Sequence, residues 1–301
     1  MYELLSRTLL KINPQYARAM ACHATHLASK FVHNRPPESL RRKVMGLEFP
    51  GPIGMAAGFD KHGELYPALS EIGFGFVEIG SVVPQPEHQR SRGLEVVAAN
   101  LMRYSHPHPI PLGVSLSMNR KTPFAQMFQD YLIGMRGLWK YADYFVINLG
   151  VRAGPDLHLQ ENRAALYKVL TNVKDEQRRL NSEHGAYRPL VVKIDQHRGD
   201  TNALLCCVRD YCFDGLILGG DKHQGGNQGE SNRTLTGLAN AVRILSADTA
   251  VISVGGICTP QDVANHLSAG AALIQIYSGL VASGPMLPRR INMHLSNTSI
   301  D

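Results

Sequence analysis

The sequence predicts an α/β fold, a (β/α)₈ TIM barrel in which eight parallel strands alternate with helices. From residue 50 onward, short apolar runs rich in β-branched residues are separated by segments with helical periodicity. Runs of this kind are typical of parallel strands that are buried on both faces. Eight such units within about 250 residues favour a closed barrel. A doubly wound open sheet is the alternative, although it rarely needs eight strands of such regularity.

The predicted strands follow one another at regular intervals, at residues 52–57, 74–79, 112–116, 144–147, 190–194, 215–218, 250–254 and 273–277. Helical patterns separate most of them, at residues 64–72, 124–138, 161–179, 202–211, 235–246, 260–267 and 285–295. One unit is irregular, because residues 81–111 are rich in Pro, Arg and His and show no clear amphipathic helix. We therefore expect a shortened region between strands two and three, with irregular structure in place of a helix.

The positive charge of the chain is concentrated before the predicted barrel. Residues 1–45 contain eight basic and two acidic residues, and these account for the whole net charge of +6. Apolar residues at helical spacing on both sides of Asn13-Pro14 predict two short amphipathic helices. Such helices suit an anionic membrane surface, but a helical hairpin packed on the barrel fits the same pattern. We assign residues 1–45 to this extension and residues 46–301 to the barrel.

The composition argues against several other classes of protein. No apolar stretch approaches the roughly 18 residues of a spanning helix, and the N-terminus lacks a signal-peptide pattern, so we expect a cytoplasmic protein. The barrel part is charge-neutral and lacks a basic aromatic groove, which argues against nucleic-acid binding. The five cysteines form no C-x-x-C pair and indicate buried free thiols. His106 and His108 alone are weak metal ligands, so we expect a polar loop there and no metal.

The carboxyl ends of the predicted strands form a polar, glycine-rich ring, which is where such barrels place their active residues. Gly255-Gly256 follows strand seven and Tyr277-Ser278-Gly279 follows strand eight, a pairing typical of a phosphate cradle. Lys193 lies at the end of an apolar strand and needs an anionic partner, either a ligand or a nearby Asp. A phosphate site beside a central lysine points to flavin mononucleotide (FMN).

Several of these strand ends resemble the dihydroorotate dehydrogenase family. Residues 52–61, PIGMAAGFDK, resemble the first-strand motif of that family, and residues 73–82, GFGFVEIGSV, its second. Further matches lie at residues 191–194, 254–257, 275–279, 141–148 and, more loosely, 111–123. The N-terminal helix pair is similar to that of the quinone-reducing class. The resemblance implies FMN at the barrel mouth, quinone as a possible partner and peripheral association of residues 1–45 with the inner membrane.

The resemblance also implies roles for individual residues. Those that would contact FMN are Ala57, Gly58, Ser81, Asn148, Lys193, Gly255, Gly256, Tyr277 and Ser278. Lys61 and Asn148 would face the substrate. Residues 100–104 correspond loosely to the family's Asn-Arg-Met-Gly-Phe stretch, which makes Asn100 a further substrate contact and implies that much of helix two is deleted.

The loop after strand four departs from the family where its catalytic base is expected. The family runs Asn-x-Ser-Ser-Pro-Asn-Thr-Pro-Gly, whereas residues 148–156 read NLGVRAGPD. The base therefore falls on Val151, which cannot accept a proton, and a substrate-binding Asn falls on Ala153. General base catalysis typically contributes about 10²- to 10⁴-fold to a rate. The family's Thr-Asn-Thr after strand six becomes Gly219-Gly220-Asp221, which removes another substrate-binding Asn.

Other polar residues beyond the strand ends could replace the missing base. Asp221 is the best candidate, because it directly follows Gly219-Gly220; the others are Arg152, Asp156, His158, Asp195, His197 and His223. Three functions fit: an FMN oxidoreductase with an altered substrate, a catalytically degenerate flavin-binding regulatory or assembly protein, and an authentic dihydroorotate dehydrogenase with a relocated base. The retained Lys61, Asn148 and Lys193 favour a working flavin site, and the eroded substrate loops favour the second function over the third.

Overall fold

The computed structural model describes residues 8, 13–88, 90–104, 106–150, 159–196, 201–219 and 228–298. Eight parallel strands close into a barrel in chain order, so the predicted fold is confirmed. A two-stranded antiparallel hairpin, β1 (Arg42–Val44) and β2 (Leu47–Phe49), precedes it. The barrel strands are β3 (Ile53–Met55), β4 (Phe76–Val82), β5 (Leu112–Leu116), β6 (Tyr144–Asn148), β7 (Leu190–Asp195), β8 (Gly215–Gly219), β9 (Ala250–Val254) and β10 (Leu273–Ile276).

The hairpin β1–β2 packs against the amino-terminal end of the barrel, and the sequence pattern did not predict it. Its strands have three residues each, too few for periodicity to identify. Phe49 is fully buried and meets the ring of Phe76 edge-on, with 5.4 Å between ring centroids. Met45 reaches the start of β8, where its Sδ would lie 2.9 Å from a Cβ added to Gly215. Apolar side chains thus fill this half of the barrel, and the polar strand ends lie at the other.

Ten helices accompany the strands in the described residues. They are α1 (Pro14–Ser29), α2 (Tyr66–Glu71), α3 (Leu94–Leu101), α4 (Met127–Leu138), α5 (Arg163–His184), α6 (Thr201–Asp210), α7 (Gln228–Ile244), α8 (Pro260–Ser268), α9 (Ser278–Ser283) and α10 (Leu287–Asn297). The expectation of irregular structure throughout residues 81–111 is wrong, because α3 lies there. This helix spans eight residues, so the connection is short but still helical. Its sequence, LEVVAANL, is too brief to show a convincing apolar stripe.

Helix α1 packs its small residues inward and leaves large apolar side chains in solvent. Asn13 caps it, since its Oδ1 accepts a hydrogen bond from the backbone N–H of Gln15 at 3.0 Å. Ala17, Ala21 and Thr25 are fully buried, while Tyr16, Leu27 and Phe31 are 69%, 59% and 79% exposed. None of the described helices has the length and apolar character that crossing a bilayer requires. Of the two predicted N-terminal helices, the first falls mostly on residues outside the described ranges.

An ion pair between helices α4 and α5 should make the free energy of unfolding depend on pH. Both oxygens of Glu176 accept hydrogen bonds from Arg136, at 2.8 and 3.0 Å, and Arg179 adds two more to Oε1, at 2.7 and 3.2 Å. The hydrogen bonds from Arg136 lower the pKa of Glu176 from 4.5 to about 2. Because the folded pKa is depressed, the stabilisation is complete above pH 4.5 and is lost as the pH falls towards 2.

We therefore expect Glu176→Gln to lower the free energy of unfolding at pH 7 by about 1–2 kcal/mol, an amount discounted for the solvent exposure of both arginines. At pH 3 the gap between the variant and the wild type should narrow. Urea unfolding at the two pH values measures this. Glu183→Gln is the matched control, since Glu183 pairs with Arg179 in solvent, and it should change little. A gap for Glu176→Gln that is equal at both pH values would contradict the assignment.

Candidate active site

A chain of polar side chains crosses the carboxyl ends of β4, β5 and β6. Asn148 Nδ2 donates to Ser81 Oγ at 2.9 Å, and Ser81 Oγ lies 3.2 Å from Ser115 Oγ. The amide oxygen of Asn148 accepts from the backbone N–H of Gly150 at 3.1 Å, which orients the side chain. Tyr131 supports the same strand end, since its hydroxyl donates to the backbone oxygen of Asn148 at 3.0 Å. The structure therefore brings the predicted residues Ser81 and Asn148 into direct contact.

Lys193 stands beside this chain and faces a buried carboxyl group. It pairs with Asn148 in the register of β6 and β7. Glu78 of β4 is fully buried, and burial raises the pKa of its carboxyl while the charge of Lys193 opposes that shift. The same carboxyl hydrogen-bonds to the side-chain amide of Gln275 and to the backbone of Ala57. Residues from β4, β7 and β10 meet in this way, which places the group inside the barrel beneath its mouth.

Glu78 and Gln275 were not predicted as site residues, although the sequence carries one signal for them. Both are polar residues within otherwise apolar strands, the same feature that drew attention to Lys193. Their pairing joins positions 197 residues apart, which no local pattern could reveal. Glu78 Oε1 and Gln275 Oε1 have no hydrogen-bond partner among the described residues. Buried acceptors usually have a partner, and these two acceptors belong to a pair whose carboxyl group interacts electrostatically with Lys193.

The loops after β9 and β10 form a close-packed, glycine-lined corner. Gly255 and Gly256 have φ angles of +117° and +69°, which L side chains rarely adopt. A Cβ added to Gly279 would lie 2.3 Å from the carbonyl oxygen of Ile257, so the two loops touch through backbone alone. Ser278 begins α9 at this corner. The predicted residues Gly255, Gly256 and Ser278 are therefore neighbours, and the corner can admit an anionic group close to the backbone.

The loop after β3 is held rigid by a buried aspartate. Asp60 is almost fully buried, and its carboxylate accepts from the backbone N–H groups of Gly63, Glu64 and Leu65 at 2.8–3.0 Å. Lys61 follows it directly, and burial together with the charge of Arg18 lowers the pKa of Lys61. Asn100 of α3 is also buried, and its Nδ2 donates to the carbonyl oxygen of His62 at 3.0 Å. Lys61 and Asn100 thus belong to one loop–helix unit, and their substrate roles stay predictions.

Helix α1 reaches the mouth through Arg18. Its guanidinium donates to the carbonyl oxygen of Phe59 at 2.8 Å. The Phe59 ring meets Tyr277 edge-on, with 6.1 Å between centroids, and a Cβ on Gly58 would lie 3.4 Å from the Tyr277 ring. Burial raises the pKa of Tyr277. The predicted residues Gly58 and Tyr277 therefore lie together under the N-terminal helix, and Arg18 is a contact that the sequence alone did not indicate.

Several predicted residues lie outside the described ranges. They include Val151, where the family base is expected, and the best substitute, Asp221; the others are Arg152, Ala153, Asp156, His158, His197, Gly220 and His223. Asp195 is described and lies at the mouth. Its Oδ2 would be 3.4 Å from a Cβ added to Gly150, and its Oδ1 would be 3.1 Å from one added to Gly219. A carboxylate therefore lies between the ends of β6 and β8, beside Asn148.

Comparison with known proteins identifies the family. The family model described as dihydroorotate dehydrogenase matches residues 39–90 and 222–298. A Nitrosospira multiformis protein named dihydroorotate dehydrogenase (quinone) is 31% identical over 339 aligned residues, which cover 99% of this chain and 97% of that protein. The chain belongs to the dihydroorotate dehydrogenase family. A Chloroflexus aurantiacus family member of the same name is 36% identical over 296 residues, covering 85% of this chain and 81% of that protein.

Solved structures of the family share the fold. The crystal structure of an Eimeria tenella DHODH in complex with ferulenol gives a TM-score of 0.82 at 23% identity, covering 97% of this chain and 94% of that chain. A ligand-free form from the same organism gives 0.81. The two ranges matched by the family model hold β3, β4, β9 and β10, whereas Asn148, Lys193 and the loop that begins at Gly150 lie between them.

Proposed function

We propose that this chain binds FMN at the barrel mouth and acts as an FMN oxidoreductase of the quinone-linked dihydroorotate dehydrogenase type, with an altered substrate. The observation that carries the proposal is the placement of Lys193, with the Asn148–Ser81 pair beside it, at the end of the barrel where Gly255 and Gly256 also lie. A cation, an amide and a backbone anion cradle at one mouth are the donor set that a phosphorylated flavin requires.

The residues present fit FMN on chemical grounds. Gly255, Gly256 and Ser278 would hold its phosphate, because the two glycines have positive φ angles and no side chain of their own, which lets an anion approach their backbone N–H groups. Ala57, Gly58, Ser81 and Asn148 would also contact FMN. Lys193 would place its charge against the ring, and the buried carboxyl group of Glu78 interacts electrostatically with that charge. Bound FMN would supply hydride acceptance and electron transfer to a second substrate.

The sequence of the loop after β6 is the reason for proposing an altered substrate. Val151 offers no proton acceptor where the family base falls, and Ala153 offers no amide to a polar ligand. Each lost hydrogen bond costs about 0.5–1.5 kcal/mol of binding, and more where a buried partner remains unpaired. Asp195 is a carboxylate already at this mouth, and Asp221 follows β8, so both are candidates to take a proton from a different substrate.

Dihydroorotate itself is the second candidate substrate, because the relatives that match the chain over most of its length carry that enzyme's name. Oxidation of dihydroorotate by this chain would require a base other than residue 151. The other alternative is a flavin-binding regulatory or assembly protein without turnover, which the valine at that position allows and which the eroded substrate loops favour over dihydroorotate oxidation.

A quinone at a membrane surface is the proposed electron acceptor. Helix α1 exposes Tyr16 and Leu27 to solvent while its Arg18 contacts the loop that carries Lys61. An apolar outer face joined to the mouth would bring an apolar acceptor from the lipid to the flavin. Peripheral association of residues 1–45 with the inner membrane is part of this proposal.

We expect purified protein to be yellow, to release FMN on denaturation, and to be bleached by dithionite but not by dihydroorotate under anaerobic conditions. Added quinone should then restore the absorbance of the reduced protein. Rapid bleaching by dihydroorotate would instead establish dihydroorotate as the substrate. If dithionite-reduced protein is not reoxidised by quinone, the electron-acceptor proposal fails. Colourless protein that FMN cannot reconstitute would overturn the cofactor assignment.

Val151→Ser is the matched variant for this experiment, because it restores the side chain of the family base. In an authentic enzyme with a relocated base, this change should leave the rate of bleaching by dihydroorotate unaltered. In the proposed enzyme it should permit slow bleaching, still limited by the missing amide at Ala153. Val151→Ala, which restores no acceptor, is the control.

A further inference from the structure

A group of metal-ligand side chains lies at the amino-terminal end of the barrel, opposite the mouth. His106 and His108 belong to the segment that leads from α3 into β5, and Asp143 immediately precedes β6. One ligand atom from each of the three residues lies within 4.8 Å of the other two. The sequence offered only the two histidines, because Asp143 is 35 residues from His108 and becomes its neighbour only when β5 and β6 pair.

The geometry of the group is fixed by its surroundings. His108 is almost fully buried, and its Nδ1 lies 2.7 Å from Asp143 Oδ2. The same oxygen accepts from the backbone N–H of Leu112 at 2.8 Å, which ties the carboxylate to the start of β5. Tyr66 packs against His108 with 5.4 Å between centroids, and its hydroxyl donates to the carbonyl oxygen of Ile110 at 2.7 Å. The segment is therefore held from both sides.

An ion pair between His108 and Asp143 does not explain the position of His106. His108 and Asp143 would form a complete buried pair without it. Yet the His106 ring lies 3.9 Å from the His108 ring, centroid to centroid, while remaining exposed to solvent. With this second imidazole, the group has three side chains that can donate electron pairs to a metal ion, and the side of the group formed by His106 is open to water.

We propose that His106, His108 and Asp143 bind a divalent transition-metal ion, with Zn²⁺ as the best match. Two imidazole nitrogens and a carboxylate oxygen are donors that Zn²⁺ prefers, and three protein ligands leave a fourth position for water. Arg188 contributes positive charge near His106, so the affinity should fall below that of four-ligand zinc-finger sites. The site lies at the end of the barrel away from the mouth, so its role is structural.

A bound ion would join the segment before β5 to the start of β6. Both elements are already adjacent in the barrel, and the ion would add a link at the end that the β1–β2 hairpin also covers. Because only the folded chain assembles all three ligands, metal binding should raise the melting temperature in proportion to the logarithm of free metal above Kd.

The test uses the full chain, stripped with a chelator and titrated with Zn²⁺ by calorimetry. We expect one Zn²⁺ per chain in the wild type. His106→Gln removes the exposed ligand and leaves the buried His108–Asp143 pair intact, so it should weaken binding by at least about 100-fold, the upper end of what losing a supporting partner costs. It should also abolish the rise in melting temperature. His33→Gln is the matched control, because His33 forms an exposed pair with Glu71 at 2.7 Å and lacks a second histidine; it should bind as the wild type does.

A second measurement on the wild type does not depend on the variant folding. Zn²⁺ should protect His106 from modification by diethyl pyrocarbonate, as mapped by mass spectrometry, while the exposed His23 on α1 should react equally with and without the metal. Equal affinity of His106→Gln and wild type, as zinc bound to cysteines would give, overturns the proposal. A wild type that takes up no Zn²⁺, or an unprotected His106, overturns it as well.

Discussion

Replacing Lys193 with methionine is expected to weaken FMN binding by on the order of 10- to 100-fold, the range for losing a hydrogen bond to a charged group. Methionine keeps an unbranched side chain, one atom shorter than that of lysine, and removes the ammonium group with its charge and its hydrogen-bond donors. Lys193 is half-buried, and its one described electrostatic partner is Glu78 beneath it. Its other side faces the mouth, where the proposal places the flavin ring. Titration of apoprotein with FMN, followed by the quenching of flavin fluorescence, measures the change.

The control for this prediction is another partly buried lysine. Lys174 of α5 donates to the carbonyl oxygen of Cys212 at 2.9 Å and lies over the Phe213 ring, away from the mouth. Lys174→Met should therefore lower stability without changing FMN affinity. Lys193→Met should also lower the melting temperature, since Glu78 loses its countercharge. If Lys193→Met keeps FMN affinity within twofold of wild type, the flavin does not lie against this residue.

The strands of the barrel could be predicted because each is a continuous apolar run that is buried on both faces. The run at 144–147 became β6 with one added residue, Asn148, and 250–254 became β9 without change. The elements that the sequence did not predict are short, or they depend on contacts between residues far apart in the chain. Helix α3 has eight residues and follows a Pro- and Arg-rich stretch, and each strand of the β1–β2 hairpin has three. Such elements are fixed by packing against the barrel and not by their own periodicity.

The candidate site shows the same division. Gly255, Gly256 and Lys193 could be predicted as site residues because glycine and lysine have a physical meaning at the strand ends of a barrel mouth, and their roles stay predictions. The partners of these residues could not be found in the same way. Glu78 meets Gln275 from the far end of the chain, and Arg18 reaches Phe59 from an extension that the barrel pattern does not include. Each such contact depends on closure of the barrel, which only the tertiary structure shows.

Under the proposed function, Val151 leaves the loop after β6 without a proton acceptor at the position where the family places its base. A cation, an amide and an anion cradle can hold a flavin without a base, but oxidation of a carbon–carbon bond also requires a proton acceptor. The described carboxylate nearest the Asn148 loop belongs to Asp195. A substrate whose acidic proton approaches the ends of β7 and β8, and not the loop after β6, would suit this arrangement.

The substitution of both Leu27 and Phe31 by glutamate is expected to reduce binding to phosphatidylglycerol-containing vesicles by about 100-fold or more. Leu27 lies in the last turn of α1 and Phe31 lies two residues after the helix ends, and both side chains are largely exposed, whereas the inner face of α1 is buried. Burying a Leu or Phe side chain contributes about 1.5–3 kcal/mol when complete, so partial burial of two of them accounts for about 3 kcal/mol. Each added carboxylate is further repelled by an anionic surface at about 1 kcal/mol. Co-sedimentation across a range of lipid concentrations gives the partition coefficient.

The matched control places the same charges on other exposed apolar residues. Ile133 of α4 and Met293 of α10 are 41% and 53% exposed, less than Leu27 and Phe31, and they lie on helices of the barrel wall. Ile133→Glu with Met293→Glu should therefore bind vesicles as the wild type does, and both double variants should retain FMN if the mouth is intact. Equal loss in the two double variants would mean that net charge governs binding and not the face of α1. Unchanged binding of the Leu27 and Phe31 variant would assign α1 to packing on the barrel alone, and a quinone would then have to reach the mouth by another route.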